Sequence, residues 1–336
     1  MRLTDRVIRT VDFHTGGEPF RIVAEPPVDI TGDTVAARRV FAMNDDAVDA
    51  LRQLLCFEPR GHADMYGGFI TPADDAGADF GVLFWHKDGF STACGHGTIA
   101  LGAWAVLSGR VAADPTGTTD VTIDVPSGRV VARVTTADTR VVSVDFVNVA
   151  SWLIAPGVTV ATTHGPIEVA LSFGGAIYAQ LDVTPLGITV TPEHLPELIA
   201  IGREVKWALN DDPLARHPTD ERLSGVYGTI LYEHLGPLHQ RNVTIFADGE
   251  VDRSPCGSGT CARLATLHAT GGLSIATDFV HDSIVGSRFV GRVLDVADVD
   301  GRPAVLPQVT GTAYRTGEHV FHVDPDDPLV PGFVFR

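Results

Sequence analysis

Two short segments of the 336-residue chain carry residue types and a spacing suited to proton transfer at carbon: Cys94-Gly-His-Gly-Thr and Cys256-Gly-Ser-Gly-Thr. Each places glycines just ahead of an Ala/Leu-rich stretch of helical character. Backbone N–H groups at such a helix start are uncovered, and the helix dipole favours negative charge there. The end can hold a carboxylate, and the same amides stabilise a neighbouring thiolate. On this ground Cys94 and Cys256 are both expected to ionise. If both turns serve one substrate, one thiolate removes the α-proton of a carbon acid while the opposite thiol donates one. Amides on the carboxylate meet the charge of the enediolate-like intermediate with dipoles already oriented, so no electron-sink cofactor is required.

A single Cys ahead of a glycine turn is usually a small buried hydrophobe. Here the turn occurs twice, with matches at Cys, Gly, Gly and Thr that continue in register through Ala100/Ala262, Ala103/Ala265 and Gly109/Gly271. Neither copy has the Gly-Lys-Ser/Thr of a phosphate loop or the third glycine of a dinucleotide fingerprint. Two copies about half a chain apart predict two lobes of similar build, each opening a helix from its turn, with a division near Ser151 to Pro156.

The remaining elements are those of a mixed α/β or α+β chain. Alternating β-branched runs at Val121–Val125 and Val142–Phe146 predict strands, with a turn at Pro126-Ser127-Gly128. Helical spacing places Val48, Leu51 and Leu55 on one face of a segment capped by Asn44. It places Leu198, Ile201, Val205 and Leu209 on one face of a second helix opened by Thr191-Pro192.

Composition narrows the function classes. A formal charge of −17 without a basic run repels phosphate backbones, so nucleic acid is not an expected partner. No run of eighteen apolar residues and no apolar leader follows Met1, which predicts a cytoplasmic protein without a membrane partner. Cys56, Cys94, Cys256 and Cys261 lack the spacing of a disulfide framework or a zinc site, so reduced thiols and no metal are expected. Lys87 and Lys206 are the only lysines, few candidates for a Schiff base with pyridoxal phosphate.

The chain resembles the proline racemase family, with its hydroxyproline 2-epimerase and trans-3-hydroxyproline dehydratase relatives, over nearly its whole length. The likeness runs through Asp12-Phe-His-Thr-Gly-Gly-Glu-Pro19, Glu58-Pro-Arg-Gly-His-Ala-Asp-Met-Tyr-Gly67, Cys94-Gly-His-Gly97, Ser172-Phe-Gly-Gly175, Asp252-Arg-Ser-Pro-Cys-Gly257 and Asp324-Pro-Asp-Asp-Pro328. The resemblance implies two α/β lobes of the diaminopimelate epimerase-like fold with the active site in the cleft between them, a homodimer, and no cofactor. Residues 1–155 plus 326–336 would form the lobe carrying Cys94, and 156–325 the lobe carrying Cys256. It implies that Cys94 and Cys256 are the acid/base pair, that amides of Gly95, His96, Gly257 and Ser258 hold the carboxylate, and that Asp252 partners the ring nitrogen. A secondary ammonium buried in a closed site does require such an anion. His96 is a second polar contact or a turn histidine bonding backbone; His14 and Glu18 sit in a Gly-rich turn and carry less weight.

Cys at both motif positions resembles the racemases and epimerases, since the dehydratases generally carry Thr at the second. Tyr66, Ser91 and Tyr227-Gly-Thr-Ile-Leu231 resemble the dehydratase branch instead, and Ala93 and Cys261 fit neither. A buried hydroxyl on Tyr66 or Ser91 needs a partner that proline's ring does not offer and hydroxyproline's does. Phe246 is an apolar wall of the site or core in Val243–Phe246. The expected activity is therefore cofactor-independent racemisation or 2-epimerisation of proline or hydroxyproline, with dehydration of trans-3-hydroxyproline, through the same carbanion, as the alternative. A non-catalytic carboxylate-binding protein of the same fold is the third possibility.

Overall fold

The computed structural model describes residues 7–335. They form two compact units, one built from residues up to 144 together with those from 312 on, the other from 145–311. The sequence reading had placed these divisions at 155/156 and 325/326. Ser151 bridges to Val305, which ties the segment after 144 to the second unit, and the strand after 312 pairs within the first.

The first unit contains β1 (Ile8–Thr15), β2 (Glu18–Val23), α1 (Val35–Ala42), α2 (Asp46–Cys56), β3 (Tyr66–Thr71), β4 (Phe80–His86), β5 (Gly89–Phe90), α3 (Gly95–Leu107), β6 (Thr118–Val125) and β7 (Gly128–Ala137), with β8 (Arg140–Val147) running across the division. The second contains β9 (Trp152–Thr162), β10 (Gly165–Phe173), β11 (Ile177–Asp182), α4 (Leu195–Leu209), β12 (Val226–Gly236), β13 (His239–Phe246), β14 (Glu250–Asp252), α5 (Gly257–Ala269), β15 (Phe279–Ser283), β16 (Arg288–Val299) and β17 (Arg302–Gly311). The chain then returns to the first unit as β18 (Ala313–Phe321), antiparallel to β1.

The units repeat one topology. In the first the strands pair in the order β18-β1-β2-β3-β4-β6-β7. In the second the order is β9-β10-β11-β12-β13-β15-β16. The successive pairings are antiparallel, antiparallel, parallel, antiparallel, parallel and antiparallel in both. A parallel pair needs a crossover. The first crossover is supplied by α1 and α2, or by α4; the second by α3, or by α5. Within each unit the helix opened by the Cys-Gly-x-Gly-Thr turn is buried almost all round, Gly95 to Ala105 in α3 and Gly257 to Thr266 in α5. Such burial calls for mostly apolar or small residues on every face, and the exception in α5, Arg263, donates to Gln240 and Gln180. At Gly102, for example, a Cβ would lie 2.6 Å from the Cβ of Ala132 on β7.

Helix ends follow the sequence with two adjustments. The cap of α2 is Asp45, whose carboxylate accepts from the amides of Ala47 and Val48; Asn44, expected there, instead donates to the carbonyl of Val40. Thr191-Pro192 opens a short 3-10 turn, and α4 proper starts at Leu195. Gly109 and Gly271, matched in the repeat, end α3 and α5 alike with φ of 73° and 78°, where a residue with a Cβ would be strained. Among the described residues no helix is long and apolar enough to cross a membrane.

Candidate active site

In the first unit Cys94 is the N-cap of α3, held in an extended conformation, and its sulfur accepts from the amide of Gly97 at 3.2 Å. The helix ladder starts with Thr98 N–H on the carbonyl of Cys94 at 3.0 Å. The amides of Gly95 and His96 therefore precede the first intrahelical donor, Thr98 N–H. The His96 ring nitrogens lie 3.4 and 3.7 Å from Cys94 Sγ. Burial, opposed by a hydrogen bond to the backbone of Pro19, lowers the His96 pKa to about 3, so the ring is neutral. The His96 carbonyl accepts from Thr15 Oγ1 at 3.0 Å, which ties the turn to β1. Tyr66 stands edge-on to His96, centroids 5.0 Å apart, and its hydroxyl is hydrogen-bonded to Ser91 Oγ; both residues are buried. The structure thus gathers Cys94, Gly95, His96, Tyr66 and Ser91.

In the second unit Cys256 precedes α5 with φ of +62°, a conformation that costs a residue with a Cβ about 1–3 kcal/mol. The loop before it enforces this geometry. Ser254 N–H donates to Asp252 Oδ1 at 2.8 Å, Cys256 N–H donates to Ser254 Oγ at 3.1 Å, and the Pro255 carbonyl accepts from Asn242 Nδ2 and Thr260 Oγ1. Thr260 N–H reaches the carbonyl of Cys256 at 2.7 Å, leaving the Gly257 and Ser258 amides ahead of the ladder, as in α3. The register of β13 and β14 sets Thr244 opposite Asp252, and both side chains reach the Cys256 thiol. Phe246 stacks on Tyr227 with centroids 5.6 Å apart, one ring removed from the thiol's own neighbour Tyr178.

The environment of Cys256 opposes the ionisation that its helix start favours. Burial first and the Asp252 charge second push its thiol well up, outweighing the hydrogen bonds from Thr244 and the Gly259 amide. Asp252 is itself raised to about 6, by burial first, against hydrogen bonds from Ser254. Cys261, one turn into α5, is an inert core thiol pushed up by burial. Cys56 donates to the carbonyl of Met65 in the core of the first unit.

The other shared motifs make packing and ion-pair contacts, in part against the Cys turns. A Cβ on Gly174, in Ser172–Gly175, would lie 2.5 Å from the Ser258 carbonyl and 2.8 Å from the Ala262 amide, so glycine lets β10 meet the first turn of α5. Ser172 Oγ bonds Thr266 Oγ1 at 2.6 Å lower on the same helix. Asp12 receives Arg21 through its Nε and Nη2 atoms, and Arg60 faces Asp327 at 3.8 Å, joining the early motif to the late one. His14 accepts from Gly17 N–H and stacks on Tyr314, while Glu18 is buried at the head of β2.

Tyr178, Thr244 and Ser254 contact the Cys256 turn and were not singled out from sequence. The signal for Tyr178 was a lone hydroxyl in the apolar run Ala176-Ile-Tyr-Ala; Ser254 lay within the Asp252–Gly257 motif, and Thr244 was the one hydroxyl in the run Val243–Phe246.

Each unit of this duplicated α/β fold sets one buried thiol at the start of one buried helix, and comparison with known proteins identifies the family. It belongs to the proline racemase family, whose model matches residues 10–334. It is 42% identical to a trans-3-hydroxy-L-proline dehydratase of Bacillus cereus, over 98% of this chain and 98% of that one. It is equally 42% identical to a 3-hydroxyproline 2-epimerase of Burkholderia multivorans, over 98% and 99%. Among solved structures it is similar to a hydroxyproline epimerase from Agrobacterium vitis with bound trans-4-hydroxy-L-proline, at 32% identity and a TM-score of 0.92, covering 100% of this chain and 97% of that one. The fold is the diaminopimelate epimerase-like α/β fold, and the protein is an enzyme, an isomerase or the related dehydratase.

Proposed function

We propose that the chain is a cofactor-independent 2-epimerase of a hydroxylated proline, with Cys94 and Cys256 as the acid/base pair. The observation that carries this is the duplication: each unit delivers one buried thiol to the start of one buried helix, beside two amides that the helix itself leaves unbonded. Inversion requires the thiols on opposite faces of one α-carbon. One removes the proton as thiolate, the other supplies a proton to the far face, and the carboxylate rests on the amides of Gly95, His96, Gly257 and Ser258. The elevated Cys256 thiol rests protonated, which is the state of the donor. A substrate ammonium on Asp252 would neutralise the charge that opposes Cys256 ionisation, so binding itself would bring Cys256 into range to act as base in the reverse direction.

Buried hydroxyls on Tyr66 and Ser91, one ring from Cys94, favour a ring that carries a hydroxyl of its own. The same pair, with the Bacillus cereus relative, supports a second reading. From trans-3-hydroxyproline the carbanion would form a C2–C3 double bond as the C3–O bond breaks, and the departing hydroxide would take a proton from an adjacent acid to leave as water.

Incubation in D₂O with proline, both 4-hydroxyproline epimers and trans-3-hydroxy-L-proline, followed by NMR, tests this. The expected result is α-deuteration and inversion at C2 with the ring hydroxyl retained. Loss of the 3-hydroxyl would establish the dehydratase reading, and neither α-deuteration nor loss of the 3-hydroxyl from any of them would overturn both.

A further inference from the structure

The two units carry different rings at one matched position of the sheet. Phe20 follows Gly17 by three residues on β2, and Tyr178 follows Gly175 by three residues on β11, the strand that holds the same place in the second unit. Each ring packs on the first turn of its buried helix. Phe20 stands edge-on to His96 at 5.8 Å, and its Cε2 would lie 2.4 Å from a Cβ on Gly97. Tyr178 adds a hydroxyl. It lies 2.7 Å from Ser258 Oγ, in the same buried cluster as the Cys256 side chain. The tyrosines before the following glycine also match: Phe20 packs beside Tyr66, and Tyr178 meets Tyr227 edge-on at 5.7 Å.

Tyr178 is fully buried, in a cluster with Ala176, Ile230, Cys256 and Ala262. Burial first, and the neighbouring Cys256 second, keep the phenol protonated. A neutral phenol has one proton to donate and lone pairs to accept with, and the serine hydroxyl has the same inventory. Tyr178 and Ser258 can therefore be ordered in either sense without moving a heavy atom. Toward a thiolate, Ser258 donates to Tyr178 and Tyr178 donates to sulfur; beside a thiol, Tyr178 donates to Ser258 instead.

Resting on the two-thiol reading above, we propose that Tyr178 is a positioning residue for Cys256, forming with Ser258 a reversible chain of two hydroxyls that donates to sulfur when Cys256 is a thiolate and turns away when it is a thiol. An acid/base residue that serves both directions of an inversion must be stabilised in both states, and this chain does so with its groups already in place. Cys94 is served differently, by the Gly97 amide and the neutral His96 ring. No covalent bond to carbon or sulfur changes in the chain; only hydroxyl protons rotate.

The test compares the full-length protein with Tyr178→Phe and Ser258→Ala. The phenylalanine variant reproduces the side chain that the first unit already uses, so it is expected to fold. Iodoacetamide alkylation of each cysteine, followed by peptide mass spectrometry between pH 8 and 9.5, reads thiolate content below the titration midpoint. Tyr178→Phe should slow Cys256 alkylation about tenfold, the size expected for losing one hydrogen bond to an anion, and leave Cys94 alkylation unchanged. Because the equilibrium constant fixes the ratio of the two directions, kcat/KM should fall by one common factor in both. Ser258→Ala should act in the same sense but less, and it decides the matter if Tyr178→Phe does not fold. An unchanged Cys256 rate, or equal changes at both cysteines, overturns the proposal. Cys256→Ser separates it from the reading beneath: a Cys256→Ser enzyme with full inversion activity removes the two-thiol mechanism, whereas an inactive one beside an unaffected Tyr178→Phe removes only the role of Tyr178.

Discussion

Gly259 faces the sulfur of Cys256 so closely that a Cβ built on it would stand 2.7 Å from Sγ. Gly97 stands in the same relation to Cys94, at 2.8 Å. The second glycine of each turn is thus the space in which the thiol sits, which explains why the spacing Cys-x-x-Gly recurs in both copies.

Gly259→Ala should displace the thiol and lower activity at least about tenfold, while destabilising the fold by about 1–3 kcal/mol as an overpacked core does. Its other near neighbour, Ile230 Cδ1 at 3.1 Å, is a flexible methyl. Gly97→Ala should be the more damaging of the two, because its Cβ also meets the Phe20 ring at 2.4 Å. Thermal melts of the two variants side by side check the order; equal stability would contradict it.

Cys94→Ser and Cys256→Ser should each remove most inversion activity while leaving the melting temperature within a few degrees, since a hydroxyl is nearly isosteric with a thiol but a far weaker base at neutral pH. Polarimetry on purified variants measures this. Turnover at the parent rate in either one would rule out a pair of thiols.

Tyr66→Phe should discriminate by substrate. Without its hydroxyl, Ser91 loses its bonded neighbour and the pocket loses a partner for a ring hydroxyl. The kcat/KM for hydroxyproline should fall about tenfold more than that for proline. Equal losses on the two would place the hydroxyl pair outside substrate recognition.

Stability should carry two opposed pH signatures. Asp252 is raised to about 6 by burial, so the stability it contributes is complete below its unfolded value of 3.8 and is lost as pH rises through about 6. His281, lowered to about 3 by burial, contributes stability that is present above 6.5 and lost as pH falls toward 3. Urea unfolding of the parent and two variants between pH 4 and 7 separates them. The advantage of the parent over Asp252→Asn should shrink with rising pH, and its advantage over His281→Gln should grow; a flat difference in either case would refute that assignment.

The paired turns were legible because they are local. Cys-Gly-x-Gly-Thr is five residues long, and the match of Gly109 with Gly271 extends it to the far end of each helix, where both glycines take the same left-handed turn. The fold was legible only as a doubling. Pairings such as β2 with β3, or β1 with β18, join residues far apart in sequence and leave no periodic mark. The divisions at 144 and 311 differ from those read in the sequence for that reason. The correspondence of Phe20 with Tyr178 was hidden because the two share a place in the sheet and not a residue type. The upward push on the Cys256 thiol was not legible because burial and Asp252 act through three-dimensional neighbours, while the helix start that favours a thiolate is visible in the chain itself.

The return of β18 to β1 sets an order for biosynthesis. The second unit is contiguous, 145–311, and has all its strands once Gly311 has cleared the ribosome. The first unit is begun earlier and finished later, because β1 has no partner on its outer side until residues 313–321 are made. At about 5–20 residues per second this leaves the β1 edge open for tens of seconds, with Val11 and Phe13 next to an unpaired ladder. The half of the molecule that is translated first is therefore the half that closes last, and the nascent protein is most exposed to edge-to-edge association during that interval.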